Sequence, residues 1–181
     1  MSTAEATPSR PARAQIDEVV AKKMLQELVA EMKTAILGTV GGTGISDASY
    51  SPCITDDEGN FYIYVSTLSK HTANLKRSEK MSLMLIEDEA TAASLYARRR
   101  ATWTCSISGV ERDSDTFNTL MGKFQERFGQ IMENLANMQD FHLFRLTPED
   151  GRLVLGFGAA FRMVGWEVQT QMMGRHQPKK D

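Results

Sequence analysis

The segment from Ser66 to His71 concentrates side chains that could bind an anion. Three hydroxyls, one ammonium and one imidazole lie within six residues: Ser66, Thr67, Ser69, Lys70 and His71. The segment follows the apolar run FYIYV and leads into a predicted short helix over 71–77, whose first backbone N–H groups have no partner within the helix. This pattern predicts a corner between strands that stabilises a phosphate or a carboxylate. An ordinary solvated helix start is the alternative interpretation.

Hydrophobic periodicity predicts the elements that position this corner. Strands are predicted at TAILGTV, YSPCI, FYIYVST, SLMLIED, ATWTCSISGVE and FHLFRLTP, then, after a turn at PEDG, as a strand pair in RLVLGFGAAFRMVGW. Helices are predicted from about Ile16 to Lys33, over ATAASLYARRR, and as one long helix over DSDTFNTLMGKFQERFGQIMENLANM. Short strands joined by hairpins, without regular βαβ alternation, predict an α+β or mainly β fold: an antiparallel barrel with peripheral helices.

Length and composition indicate one soluble domain. The chain has 181 residues, of which 41% are hydrophobic and 24% charged, as in ordinary globular proteins. We expect a disordered tail over 1–13, the barrel domain over 14–166 and a flexible, polar C-terminal tail over 167–181. A net charge of −2 and a pI near 6.0 favour neither nucleic acid nor acidic lipid.

The expected location is the cytoplasm. The first residues lack the apolar core of a secretory signal, and no apolar run reaches the ~20 residues of a membrane span. Cys53 and Cys105 both lie in strand-like runs, so we expect buried, reduced thiols rather than a disulfide or a metal pair.

A second basic cluster consists of Arg98, Arg99 and Arg100 at a predicted helix–strand junction. Adjacent arginines point in different directions, so we expect at least one planar guanidinium to face the barrel wall, where it suits a carboxylate. A solvated helix end is the alternative. Of the remaining histidines, His142 alternates within a strand and is interpreted as structural. His176 lies in the tail, from which an imidazole can reach a metal from outside the barrel.

Several segments together resemble the heme-utilisation HutZ/HugZ branch of the pyridoxamine-phosphate-oxidase-like, FMN-binding split-barrel superfamily. The resemblance covers most of the chain. It is carried by SxxxxHTANL at 66–75, MSLMLIEDE at 81–89, LYARRR at 95–100, VERDSD at 110–115, FQERFG at 124–129, and QDFHLFRLTPEDG with GFGAAF after it.

The resemblance implies a split-barrel homodimer that binds heme in pockets between its subunits. In that branch a histidine of a C-terminal loop is the iron ligand, and His176 matches it. An aspartate of the QDF segment, matching Asp140, supports this histidine from the partner subunit. Arg100 matches a position near the heme. A carboxylate that hydrogen-bonds a proximal imidazole fixes its tautomer and raises its basicity.

FMN is the alternative cofactor. FMN-dependent relatives hold the flavin phosphate with an arginine on the strand before the DDEGN turn and with a basic pair in the later turn. Here the earlier strand reads SYSPCI, without a basic residue, and only Ser69, Lys70 and His71 match the later part. This difference favours heme.

The sequence therefore predicts a heme-binding protein that takes part in oxidative heme breakdown for iron acquisition, with an electron donor as a further partner. Two alternatives stay open. One is a non-catalytic heme carrier or storage protein that uses the same residues. The other is an FMN-dependent oxidoreductase that uses the segment 66–71.

Overall fold

The computed structural model describes residues 16–172. Within this range the helices are α1 Glu18–Glu31, α2 Lys70–Leu75, α3 Asp115–Phe128 and α4 Ile131–Ala136, with a short 3-10 helix at Leu95–Ala97. The strands are β1 Thr34–Val40, β2 Ser46–Thr55, β3 Phe61–Ser66, β4 Lys80–Ile86, β5 Arg100–Val110, β6 Phe141–Gly156, β7 Ala159–Val164 and β8 Glu167–Gln171.

The strands form one antiparallel sheet that closes into a barrel. Their order is β3-β2-β1-β4-β5-β6-β7-β8, and an additional pairing of β3 with β6 closes the first six into a ring. Strands β7 and β8 extend the sheet beyond β6. The predicted antiparallel barrel with peripheral helices is confirmed.

The barrel is split between β2 and β3. These strands pair only where Cys53–Thr55 meets Phe61–Ile63, whereas the earlier residues of β2 pair with β1. The helix α2 lies at this opening, where the His71 ring hydrogen-bonds Ser49. The opening therefore coincides with the corner predicted from the sequence.

Apolar side chains that alternate along the strands fill the barrel. The fully buried members of this core include Leu37, Phe61, Ile63, Leu83, Leu85, Trp103, Leu146 and Phe161. Burial of such a side chain typically contributes about 1.5–3 kcal/mol. Cys53 and Cys105 are free and buried, as predicted, and burial raises the pKa of their thiols to about 11 and about 12.

The strand β6 continues through the PEDG sequence, so the predicted turn there is wrong. β6 runs for 16 residues because β5 and β7 pair with its two edges. Glu149 forms an ion pair with Lys80. A Cβ at Gly151 would lie 2.7 Å from the Thr102 carbonyl oxygen and 2.8 Å from Trp103 Cδ1. Glycine here thus permits close packing rather than chain reversal.

The alanine-rich helix predicted over 90–100 is also wrong, because the segment forms turns and the 3-10 helix. Arg98 donates from its guanidinium to the Glu87 carbonyl. The Glu87 carboxylate accepts from both the backbone N–H and the Nε of Arg99. These contacts fold the segment back onto the end of β4 and outweigh its helix propensity.

The long helix predicted over 113–138 is two helices in the structure. α3 ends at Phe128, and the next residue, Gly129, has a φ of 77°. This left-handed conformation favours glycine and cannot continue a helix. The chain then re-enters helical geometry as α4.

The chain after Trp166 does not begin a flexible tail, because Glu167–Gln171 forms β8 against β7. The Trp166 indole donates to the Gly59 carbonyl at 2.7 Å, and Val168 is buried. Two anchored residues thus hold a polar segment in the sheet. The predicted disordered residues 1–13, and His176 with its neighbours, lie outside the described residues.

None of the helices within residues 16–172 is both long enough and apolar enough to cross a membrane.

Candidate functional site

The opening between β2 and β3 is a cleft of about 620 Å³. It is lined by Asp47, Ala48, Ser49, Tyr50, Ser51, Pro52, Tyr64, Val65, Ser66, Ser69, Lys70, His71 and Phe141. Four of the predicted cofactor-binding residues thus share one cleft: Ser66, Ser69, Lys70 and His71. Thr67 is exposed in the adjoining turn.

Asp140 joins this corner although 74 positions separate it from Ser66. The Ser66 hydroxyl donates to the Asp140 carboxylate at 2.6 Å, and the Thr67 backbone N–H donates to the Asp140 carbonyl at 2.8 Å. The Leu68 N–H in turn donates to the Ser66 hydroxyl at 3.1 Å. The last residue of β3 therefore holds the Asp140 carboxylate at the edge of the cleft.

The corner carries little free positive charge. Lys70 Nζ lies 3.0 Å from the Asp47 carboxylate. His71 is buried, its Nδ1 lies 2.9 Å from the Ser49 hydroxyl, and burial lowers its pKa despite nearby Asp47. One ammonium and a neutral imidazole thus lie near the Asp47 carboxylate, and the Asp140 carboxylate accepts from Ser66, which lines the same cleft. A dianionic phosphate would find no surplus of cations here.

Arg112 is a site residue that the sequence interpretation missed. Its guanidinium donates to three backbone carbonyls, those of Ala136 at 3.0 Å, Met138 at 2.8 Å and Phe141 at 3.0 Å. It also donates to the Tyr64 hydroxyl at 2.9 Å. One side chain therefore holds the loop that carries Asp140. Its signal in the sequence is its place in the VERDSD segment, which indicates the family and not the contacts of this side chain.

The basic cluster divides into structural and outward-facing arginines. Arg99 Nε lies 2.7 Å from the Glu87 carboxylate, and its other nitrogen lies 3.1 Å from Glu31. Arg98 lies 2.9 Å from Glu89. The carboxylate partners of Arg98 and Arg99 are therefore side chains of this protein.

Arg100 lies on the outer face of the sheet. The next residue of β5, Ala101, is buried in the barrel, so the alternation of the strand places Arg100 on the opposite side. It donates to the Arg98 carbonyl at 2.9 Å.

The corner and Arg100 lie at opposite ends of β6. Ser66 pairs with Phe141, the first residue of β6, and Arg100 pairs with Val154, near its last residue. Thirteen residues separate Phe141 from Val154, a path of about 40 Å along the strand at ~3.3 Å per residue. The corner and the Arg100 face are therefore two separate candidate half-sites of the chain.

The described chain ends on the Arg100 side. Val154 pairs with Ala160 on β7, and the Met172 N–H donates to the Ala160 carbonyl at 2.7 Å. The last described residue, Met172, therefore lies on the Arg100 side of the sheet and far from the corner.

His142 has a structural environment, in keeping with its interpretation. Its Nε2 lies 2.9 Å from Lys76 Nζ, and burial, with the nearby charges of Lys76 and Arg112, lowers its pKa. The imidazole is therefore neutral and accepts a hydrogen bond from the ammonium. Within residues 16–172, no three His, Cys, Asp or Glu side chains converge on a metal-ion site.

Comparisons with known proteins establish the family. The pattern of the pyridoxamine 5'-phosphate oxidase family matches residues 21–155. The chain belongs to this family. HutZ of Vibrio cholerae, named a heme oxygenase, is 40% identical over 141 residues, which span 78% of this chain and 80% of HutZ. The predicted membership in the HutZ branch is confirmed.

Two solved structures share the fold. The crystal structure of Vibrio cholerae HutZ, described as a heme storage protein, superposes with a TM-score of 0.70 and 37% identity, covering 75% of this chain and 96% of that one. Campylobacter jejuni ChuZ superposes with a TM-score of 0.83 and 29% identity, covering 94% of this chain and 69% of that one.

The Arg112 contacts predict a local effect of its loss. Arg112→Gln should lower the free energy of unfolding by about 2–3 kcal/mol, because three carbonyls lose a charged donor. Urea denaturation measures the stability, and amide exchange should show faster opening over 136–141. Arg77→Gln, an exposed arginine, is the matched control. Equal exchange in both variants would contradict the role.

The buried imidazole of His71 predicts a pH dependence of stability. Its folded pKa is lowered, so the unfolded chain takes up a proton first as the pH falls below its unfolded pKa of about 6.5. The wild type should therefore lose stability between pH 7 and pH 5 more steeply than His71→Gln, in which this group cannot titrate. Parallel stability profiles from urea denaturation would refute the assignment.

Proposed function

We propose that this protein binds heme between two copies of the chain and takes part in oxidative heme breakdown for iron acquisition. HutZ supports the proposal by its identity and by the heme function in its name. The observation that carries it is the separation of the two half-sites along β6, because neither half alone contains both Asp140 and the chain end that leads to His176.

Chain length argues that the site is shared. Four residues lead from Met172 to His176, and an extended chain spans at most about 3.5 Å per residue, or ~14 Å in all. Asp140, in contrast, precedes the opposite end of β6, about 45 Å from Val154 along the strand at ~3.3 Å per residue. A second copy, placed with its corner against the Arg100 side of the first, brings the two halves together.

The outer face of β1 and β2 supports a homodimer. Ile36 and Tyr50 lie opposite each other in the register and are 38% and 70% exposed. Between them and Val40, which is 52% exposed, lie the small residues Gly38 and Ala48 on the same face. A face of apolar and small side chains suits a twofold interface.

The residues present fit heme in named roles. His176 is the proposed axial ligand, and Asp140 of the other protomer accepts a hydrogen bond from the N–H of its imidazole. Since Asp140 is already held by Ser66 at 2.6 Å, its carboxylate is oriented before the imidazole arrives, which fixes the tautomer and raises the basicity of the ligand. Arg100 is proposed to face a propionate. Heme, when bound and reduced by an electron donor, supplies the iron chemistry that activates dioxygen.

FMN fits the corner less well. A flavin phosphate would have to displace Asp47 from Lys70, where the two groups lie 3.0 Å apart. It would also have to accommodate the nearby Asp140 carboxylate. We therefore propose heme as the cofactor. We also propose that the protein acts in the cytoplasm, where the free thiols of Cys53 and Cys105 persist.

A hemin titration followed by absorbance tests the proposed ligands. The wild type should show a Soret band, which His176→Ala weakens and shifts because the axial ligand is lost. Asp140→Asn should lower hemin affinity by about 10–100-fold, as expected for loss of a partner of a metal-bound histidine. His142→Ala is the control and should keep the wild-type spectrum. An unchanged spectrum in His176→Ala would remove the ligand assignment.

Addition of an electron donor in air to the same complexes then separates the functions. Bleaching of the Soret band to a bile-pigment product supports breakdown, whereas a stable band supports storage. A yellow, flavin-fluorescent preparation that loses its chromophore in Lys70→Ala would instead support the FMN alternative.

A further inference from the structure

The outer sheet face beside Arg100 contains a second cleft, of about 650 Å³, at some distance from the corner. It is lined by Ser82, Thr102, Trp103, Thr104, Asp150, Gly151, Arg152, Arg162 and Met172. The described chain end thus reaches this cleft through Met172. The sequence-based predictions give no role to Arg152 and Arg162, the two arginines of this cleft.

Arg152 and Arg162 oppose each other directly across β6 and β7. Like charges that lie directly opposite each other destabilise a sheet unless a counter-charge is present. Arg162 lies 3.1 Å from the Asp150 carboxylate. Arg152 forms no ion pair within residues 16–172, so the pair lacks one counter-charge there.

Arg100 adds a third guanidinium to the same region. It precedes Thr102 by two residues, about 7 Å along the strand, and Thr102 is directly opposite Arg152. Arg152, Arg162 and Asp150 in the lining leave the cleft with a surplus of one positive charge, and Arg100 adds a second one beside it. The hydroxyls of Thr102 and Thr104 line the same cleft and can donate to an anion bound there.

We propose that Arg152 and Arg162, with the Thr102 hydroxyl, bind the carboxylates of the ligand, so that the cleft selects a tetrapyrrole that carries them. This inference rests on the proposed function and assigns the propionates of heme to this face. One carboxylate neutralises the surplus charge of the cleft, and the neighbouring Arg100 can pair with the second. The bound carboxylates also offset the free-energy cost of burying unpaired guanidiniums at the interface between subunits. Without them, that cost would disfavour burial of this face in a dimer.

Parallel titrations with hemin and with hemin dimethyl ester test the inference. The ester has the same iron and macrocycle but no free carboxylates. The double variant Arg152→Gln/Arg162→Gln should bind hemin about 10–100-fold more weakly than the wild type, as expected for charged hydrogen bonds. It should bind the ester within about twofold of the wild type. The loss with hemin should also shrink at high salt.

Arg77→Gln, a change at an exposed arginine outside the cleft, should leave both affinities unchanged. Equal losses for hemin and ester, or wild-type hemin affinity in the double variant, would overturn the carboxylate assignment and leave heme binding intact. A double variant that sediments as a monomer while the wild type is a dimer would show that the arginines serve the interface, and it would also overturn the assignment. A wild type that binds neither ligand would refute the proposed function itself.

Discussion

The length and pairing of β6 constrain the rest of the molecule. Its beginning pairs with β3 and closes the barrel, while its end pairs with β7 and extends the sheet past the ring. This one strand therefore fixes the distance between the corner at Ser66 and the outer face at Arg100. Because the corner and that face are separated by the strand, the proposed site, which uses both, needs a second protomer.

The two candidate half-sites differ in how far their charged side chains are paired with opposite charges. At the corner, Arg112 binds the loop carbonyls and Ser66 binds Asp140, so the carboxylate has a defined position. The cations there are compensated, since Lys70 faces Asp47. On the outer face the balance is reversed, because Arg152 and Arg162 oppose each other and, among the described residues, only Arg162 pairs with a carboxylate, that of Asp150. The two halves are thus complementary in charge, which suits a ligand with a cationic metal centre and anionic edges.

The sequence predicted the strands, the barrel and the family, because alternating apolar residues and several fixed segments carry that information. Prediction from the sequence failed where tertiary contacts override local preference. PEDG stays in β6 because strands pair with both of its edges, and the contact of Arg99 with Glu87 keeps the alanine-rich segment from forming a helix. It brought Ser66, Lys70 and His71 together because they are neighbours in the chain. It could not derive from spacing that Asp140 meets Ser66 or that Arg152 faces Arg162, since barrel closure and strand register decide those contacts.

The central claim is that one protomer's Asp140 acts with the other protomer's His176. Hybrid dimers test it most directly: chains that carry Asp140→Asn and chains that carry His176→Ala are unfolded together, reassembled and titrated with hemin. If the site is shared across a twofold axis, each hybrid contains one site with both native residues, and about one site in four recovers both the wild-type Soret band and the wild-type hemin affinity. If both residues act within one chain, every site lacks one of them, and the absence of any recovery would contradict the account.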